Sequence, residues 1–465
     1  MVSWRDGFFV QDKWQVSRKL TLNYGLRYEL PTVPYTVNGN ATELNPNQTA
    51  IVGGTPGFHF TNPNHKNWAP RLGLAYRISD KTVFRAGAGI YYNPNQNNSY
   101  TFLSNNPPFA TILNCTWSVG LTPVSLNAPF ASAGVCPTGA TVGTLITNQW
   151  NQPTARMNQW SANLERQLWN GGGFELQYLG SHAYHLDRNF YNNTPQPGAG
   201  SVNTRRPNPA FGPIRTIAND VIANYESMSA MFRQRMSRGL QMQASYTWAH
   251  TLDASNDSNG GGTPMNPFNW KQDYGNSNWD IRHRFLATFV YEIPFFATAN
   301  PVLKGVFGKW QANGVVTLQT GTPFNVTSNG IDTANTASSG TYRPNLVGNA
   351  TQTCGRGHLV GCIDPTAFSV AALYPATSNF AYGNFGRNVF HGPGAETVDF
   401  SIMKYFPIKE RLKFQLRVET FSLFNHANFA NPGAGFGSSS FGNITGLNGP
   451  APGTRNIQFG GKLQF

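Results

Sequence analysis

The chain is 465 residues long, enough for two or three soluble domains or one large barrel. Only 12% of its residues are charged, 13% are aromatic, and Gly and Pro number 48 and 31, far from the mixture of an ordinary helix-rich enzyme. Mean hydropathy is −0.36, and no uncharged apolar run approaches the roughly 18 residues of a membrane helix, which excludes a helical membrane protein. A membrane-spanning sheet is not excluded, because alternating strands average to an ordinary hydropathy. The net charge of +13 is scattered, often at turns, with no block of like charge, and this speaks against nucleic acid as a partner.

Reading for a period of two picks out about thirteen segments of roughly ten residues, each bounded by turn chemistry. In chain order they are residues 7–16, 20–29, 68–78, 82–92, 158–169, 174–182, 225–236, 240–248, 281–293, 310–320, 397–406, 411–424 and 456–465. The first is imperfect, since Asp12 falls on the face of Phe8, Val10 and Trp14. In the second, Leu20, Leu22, Tyr24, Leu26 and Tyr28 oppose Thr21, Asn23, Gly25, Arg27 and Glu29. The twelfth sets Leu412, Phe414, Leu416 and Val418 against Lys413, Gln415, Arg417 and Glu419. The last gathers Ile457, Phe459, Gly461, Leu463 and Phe465 on one face.

The connections alternate in length. Short ones are residues 17–19, 79–81, 170–173, 237–239 and 407–410, with 294–309 intermediate on the same side. Long ones are about 31–67, 93–157, 183–223, 251–279, 329–395 and 425–454, all polar and rich in Gly, Pro and Asn. Short turns at one end and long loops at the other are what a transmembrane barrel needs, the turns periplasmic and the loops extracellular. A soluble sandwich would show the same alternation. Long charged side chains on the polar face favour a watery lumen instead. So does the recurrence of Trp14, Tyr28, Trp68, Tyr91, Tyr92, Trp160, Trp169, Trp248, Tyr291, Trp310 and Tyr405 toward segment ends, where an interfacial girdle would place them.

The fold class expected is therefore all-β, an antiparallel transmembrane barrel in the outer membrane, with residues 1–465 as one partial barrel domain. About thirteen strands is an odd number where bacterial barrels use even ones, and an unclosed sheet exposes unpaired edges to lipid. No signal peptide follows Met1. Both observations predict that the chain is the C-terminal part of a longer protein, forming an open or strained curved sheet by itself.

Four cysteines fall in two sequence-local pairs, Cys115 with Cys136 and Cys354 with Cys362, each inside a long loop. Neither pair has zinc spacing, and His358 between the second pair is isolated, so two loop disulfides are favoured over free thiols and over metal. His182, His185 and Asp187 could mimic a ligand set, but sit where a strand runs into a loop and read as a solvated rim. Asp280, Arg282, His283 and Arg284 form a charged strand start without a nucleophile or paired acid, which favours a structural role at the rim. The loop holding Asp253 and Asp257 has a composition that could bind calcium, yet lacks EF-hand grammar. Gly87 and Gly89 lie inside a strand, where they permit close backbone approach and not dinucleotide binding. No catalytic residue, cofactor or metal is assigned, and the chain is not expected to be an enzyme.

Several segments resemble one family. Residues 4–29 (WRDGFFVQDKWQVSRKLTLNYGLRYE), 67–92 (NWAPRLGLAYRISDKTVFRAGAGIYY), 280–285 (DIRHRF) and 418–429 (VETFSLFNHANF) are similar to hairpins of TonB-dependent outer-membrane receptors, most of all the Oar-like branch. The resemblance implies a barrel of about 22 strands, of which this chain supplies the last thirteen or so. It also implies an N-terminal plug and TonB-contacting box, both missing here, and an unknown extracellular solute as cargo. Outer-membrane lipid and the barrel-assembly machinery are the further implied partners, the latter recognising Phe459, Leu463 and Phe465 as an insertion signal. The function expected is solute uptake. An adhesion or surface-organisation barrel without transport is the alternative, and a soluble carbohydrate-binding protein a third reading if Met1 is a genuine start.

Overall fold

The computed structural model describes every residue except 94–97, 111–112, 115–140, 143, 255–262, 296–299, 339–340, 371–379, 410 and 449–453. Its main sheet follows a path of thirteen long strands, each hydrogen-bonded to its neighbour in sequence. They are β1 (Arg5–Gln15), β2 (Leu20–Pro31), β3 (Trp68–Ser79), β4 (Thr82–Asn93), β5 (Ala155–Trp169), β6 (Gly172–Tyr191) and β7 (Ile214–Ser237). The path continues through β8 (Leu240–Asp253), β9 (His283–Glu292), β10 (Trp310–Gln319), β11 (Ala395–Pro407), β12 (Lys413–Phe421) and β13 (Asn456–Gln464). All neighbours along it are antiparallel. Two short strands lie off the path: Gly275–Asn276 pairs with β8, and Leu145–Asn148 runs parallel to the start of β7.

Turn residues fix the register at one rim. Ser17 Oγ accepts from the backbone N–H of Lys19 and Leu20, closing the β1–β2 turn, and Ser79 Oγ accepts from Lys81 N–H in the β3–β4 turn. Between β7 and β8 the two central residues, Arg238 and Gly239, have φ of 50° and 80°, the left-handed pair that matches strand twist in a tight hairpin. Because side chains alternate, these registers line up one apolar face across the sheet. One row runs Tyr291, Ala312, Ile402, Val418, Phe459, and another Val10, Leu26, Pro70. The opposite face is polar, as in the row Lys13, Asn23, Gly73, Gly87, Ser161.

β1 is paired only with β2 and β13 only with β12, so among the described residues the sheet keeps two free edges. Thirteen alternating strands also make β1 and β13 run in the same direction. Buried apolar residues do not gather inside the wall. They form small cores in the long loops, one around Phe324, Val326, Ile363, Phe368, Phe385 and Phe390, another around Ala41, Phe60, Tyr100, Leu103 and Ile146.

Four expectations need correction. The segments at 174–182 and 225–236 extend into strands of 20 and 24 residues, so the hairpin β6–β7 stands well above its neighbours and the loop expected at 183–223 is much shorter. His182, His185 and Asp187 consequently belong to β6. His185, at φ 57°, sits in the irregularity that shifts register between Ala183 and Leu186. Of the aromatic set, Tyr91 and Tyr405 face inward: Tyr91 lies under Arg71, and the Tyr405 hydroxyl accepts from Gln415 Nε2 at 2.8 Å. Finally, the connection of intermediate length expected at 294–309 contains a helix, α1 (Pro301–Phe307), started by Asn300, whose Oδ1 accepts from Leu303 N–H at 2.9 Å.

Candidate solute-facing site

The polar face of β1–β5 forms a concave trough of about 900 Å³ whose wall includes Gln11, Lys13, Asn23, Arg27, Arg71 and Gln159. Arg71 is placed by its neighbours. Its guanidinium lies 4.6 Å from the Tyr91 ring centroid, and a Cβ at Gly89 would come within 3.2 Å of its Cγ and 3.3 Å of the Tyr91 ring. Gly89 thus leaves the gap in which cation and ring stack, a sharper role than strand coiling. Arg85 Nη1 meets Glu165 Oε2 at 2.7 Å across the same face, both half exposed, so this pair holds orientation more than it stabilises. Farther along the wall Asn313 donates to Ser401 Oγ at 3.2 Å, and Arg417 pairs with Glu419 at 3.3 Å. Such a surface offers water, hydrogen bonds and charge of both signs to anything beside it.

Above the wall the long loops are folded against one another. Arg343, with 2% of its side chain exposed, pairs with Asp273 and donates to Phe385 O at 2.8 Å and Gln272 O at 2.9 Å. Arg387 Nη2 meets Asp253 Oδ1 at 2.5 Å, so the aspartate raised as a calcium ligand is neutralised by a guanidinium; Asp257 lies outside the described residues. Asp280 is fully buried, accepting from Thr251 N–H at 2.7 Å and Arg282 Nη2 at 3.0 Å, which makes it a clamp between strand start and loop. Cys354 and Cys362 are joined, their Cα atoms 4.7 Å apart, with Cys362 packed in the phenylalanine-rich core. Cys115 and Cys136 lie outside the described residues. Thr353 Oγ1 lies 2.6 Å from His358 Nδ1 beside that bridge. Phe459, Leu463 and Phe465 are all exposed on or beyond the apolar face of β13.

Glu43 was not singled out by sequence. It is fully buried in Thr42–Leu44, accepting from Asn148 N–H at 3.2 Å, and burial pushes its carboxyl up to about 9 against the lowering effect of that hydrogen bond. An unfolded carboxyl ionises near 4.5, so the folded loop holds a proton from there to about 9, and its stability falls as pH rises through that window. Glu43→Gln is expected to flatten this fall and to stabilise the loop by on the order of 1–2 kcal/mol at pH 8. Hydrogen exchange of residues 42–53 at pH 6 and 8 reads it; an equal slope in both proteins would show that Glu43 is not the titrating group.

A sheet with an apolar belt outside, a polar wall inside, tight turns on one rim and folded loops on the other defines a transmembrane β-barrel protein. Residues 1–458 match the model of the outer membrane beta barrel domain, and the chain belongs to that family. Its place is the outer membrane. Among solved structures it is similar to the outer membrane transporter YddB from Escherichia coli (TM-score 0.50, 11% identity, covering 98% of this chain and 44% of that one). It is also similar to the ferripyoverdine receptor of the outer membrane of Pseudomonas aeruginosa (0.47, 12%, 99% and 38%) and to the siderophore receptor PirA from Acinetobacter baumannii (0.46, 10%, 100% and 46%). At such identities the likeness is one of fold, and the chain spans less than half the length of each of these proteins. No curated protein matches the sequence.

Proposed function

We propose that the chain is the barrel portion of a TonB-dependent receptor of the Oar-like branch, which binds a solute at its loops and passes it along the polar wall without chemical change. The observation that carries this reading is the polar concave trough under Arg71 and Arg27, roofed by folded loops, which suits selective passage. Further strands complete the wall. An antiparallel join between β1 and β13, which run the same way, requires an odd number of strands between them, and about 22 in all would satisfy it. Energy then comes from TonB through an N-terminal region, and the barrel-assembly machinery reads the terminal strand through Phe459, Leu463 and Phe465.

Fractionating cells that express the complete gene product, intact or lacking Phe465, tests both parts. The intact protein is expected in the outer membrane and the truncated one is expected to fall at least severalfold there. Equal amounts of the two would remove the insertion role. Deleting the gene is expected to abolish growth on one solute or iron source. The second reading, an adhesive barrel, draws support from the ion-paired rigidity of the loops, and a deletion that alters cell attachment while leaving growth intact would favour it.

A further inference from the structure

The connection between β9 and β10 is the only described turn-side connection that carries a helix, and that helix lies on an unusual side of the wall. Lys404 belongs to the apolar face of β11, opposite Trp310 on one neighbour and Leu416 on the other. Only 3% of it is exposed, because its ammonium reaches the carbonyls of Gly305, Val306 and Gly308 at 2.6, 3.0 and 2.6 Å. Those of Gly305 and Val306 are carbonyls that the last turn of α1 leaves without a helical partner, Gly308 is the C-cap, and a cation there is favoured by the helix dipole. Trp310 Nε1 adds a hydrogen bond to Val306 O at 3.1 Å. A helix clamped by residues of the lipid face lies against the outside of the wall, at the rim of the tight turns.

The surface it leaves open is amphipathic. Val302, Val306 and Phe307 are 74%, 52% and 53% exposed, and Lys304 and Lys309 are exposed among them. The adjoining β11–β12 turn repeats the composition with exposed Ile408, Lys409 and Arg411, against the single acid Glu410 in the sequence of that turn. We propose that α1 and this turn form an interfacial foot that sits in the periplasmic leaflet and selects anionic phospholipid headgroups. Continuity with the apolar belt fixes the depth of the foot, and its excess of cations fixes the charge of the lipid. Apolar side chains of such a helix enter the boundary between headgroups and acyl chains, while its lysines meet phosphate.

Each lysine near an anionic leaflet strengthens attraction about fivefold. The full chain, folded in micelles containing equal phosphatidylglycerol and phosphatidylcholine, is therefore expected to retain phosphatidylglycerol preferentially when its bound lipids are counted by native mass spectrometry. Lys304→Gln with Lys309→Gln should cut that preference at least about fivefold. Val302→Ser with Phe307→Ser should instead lower retention of both lipids. Equal retention of the two lipids by the unaltered chain, or a preference untouched by the lysine changes, would overturn the proposal, as would burial of the foot by a protein partner in the isolated complex. Lys404→Met supplies a second readout: hydrogen exchange of residues 301–308 should accelerate at least tenfold while β10 and β11 stay protected, and unchanged exchange would remove the clamp. If that variant does not fold, the lysine pair decides alone.

Discussion

Arg343→Met is expected to release the loop after β10 from the loop after β8 while leaving the wall intact. Arg343 is paired with Asp273, itself buried, whose other oxygen accepts from Met265 N–H at 2.9 Å. Methionine fills much of the stem volume and leaves that carboxylate uncompensated, together with the carbonyls of Gln272 and Phe385. Breaking one side of a buried pair costs about 3–5 kcal/mol, several times what an exposed pair such as Arg85 with Glu165 contributes. Hydrogen exchange should then rise by two orders of magnitude or more in residues 264–274 and 341–346 and stay constant in β10. Adding Asp273→Leu should recover part of the loss, because no charge is left stranded. Unchanged protection in the single variant would mean that Arg387, which reaches Asp253 Oδ1 and Asp273 O from the same loop, holds the two loops together without Arg343.

The second large effect separates the two faces of the wall with one residue type. Val315 and Val316 are neighbours in the middle of β10. Val316 pairs with Ala287 and Val398 on the apolar face, whereas Val315 pairs with Thr288 and Asp399 on the polar one. Val316→Arg should destabilise the membrane-inserted protein by about 2–4 kcal/mol, the cost of arginine facing lipid near the bilayer midplane. Val315→Arg should be nearly neutral, since its guanidinium meets water and the Asp399 carboxylate. Denaturant titration of the chain in phospholipid vesicles gives both values. Equal costs would place the same environment on both faces and end the membrane-barrel description of this segment.

The wall was legible because its signal is local. Alternation in β2, β12 and β13 sets each face within one strand, and the turns Ser17-Arg18-Lys19 and Ser79-Asp80-Lys81 carry their own capping hydroxyls. What escaped the sequence was set by contacts distant along the chain. β6 and β7 continue past His182 and back from Tyr225 because residues 186–191 pair with 215–221 across the register shift at His185, while Leu145–Asn148 adds a parallel partner to the start of β7. Tyr91 and Tyr405 were grouped with the girdle by their place at strand ends, although the parity of Arg71 and Gln415 puts them inside. Asp253 and Asp273 gave no sign of partners 134 and 70 residues away. The helix start is readable in Asn300-Pro301, a capping residue before a proline, within a connection whose intermediate length alone does not reveal it.

The unequal height of the strands shapes the entrance. With 20 and 24 residues against ten in β9 and in β10, the β6–β7 hairpin rises roughly 30 Å higher at about 3.3 Å per residue. It is stiffened by the strand at Leu145–Asn148 and bent where His185 breaks the register. A mouth with one tall side is a lopsided funnel: whatever arrives from outside meets the hairpin first, and beyond it the joined loops that follow β8 and β10.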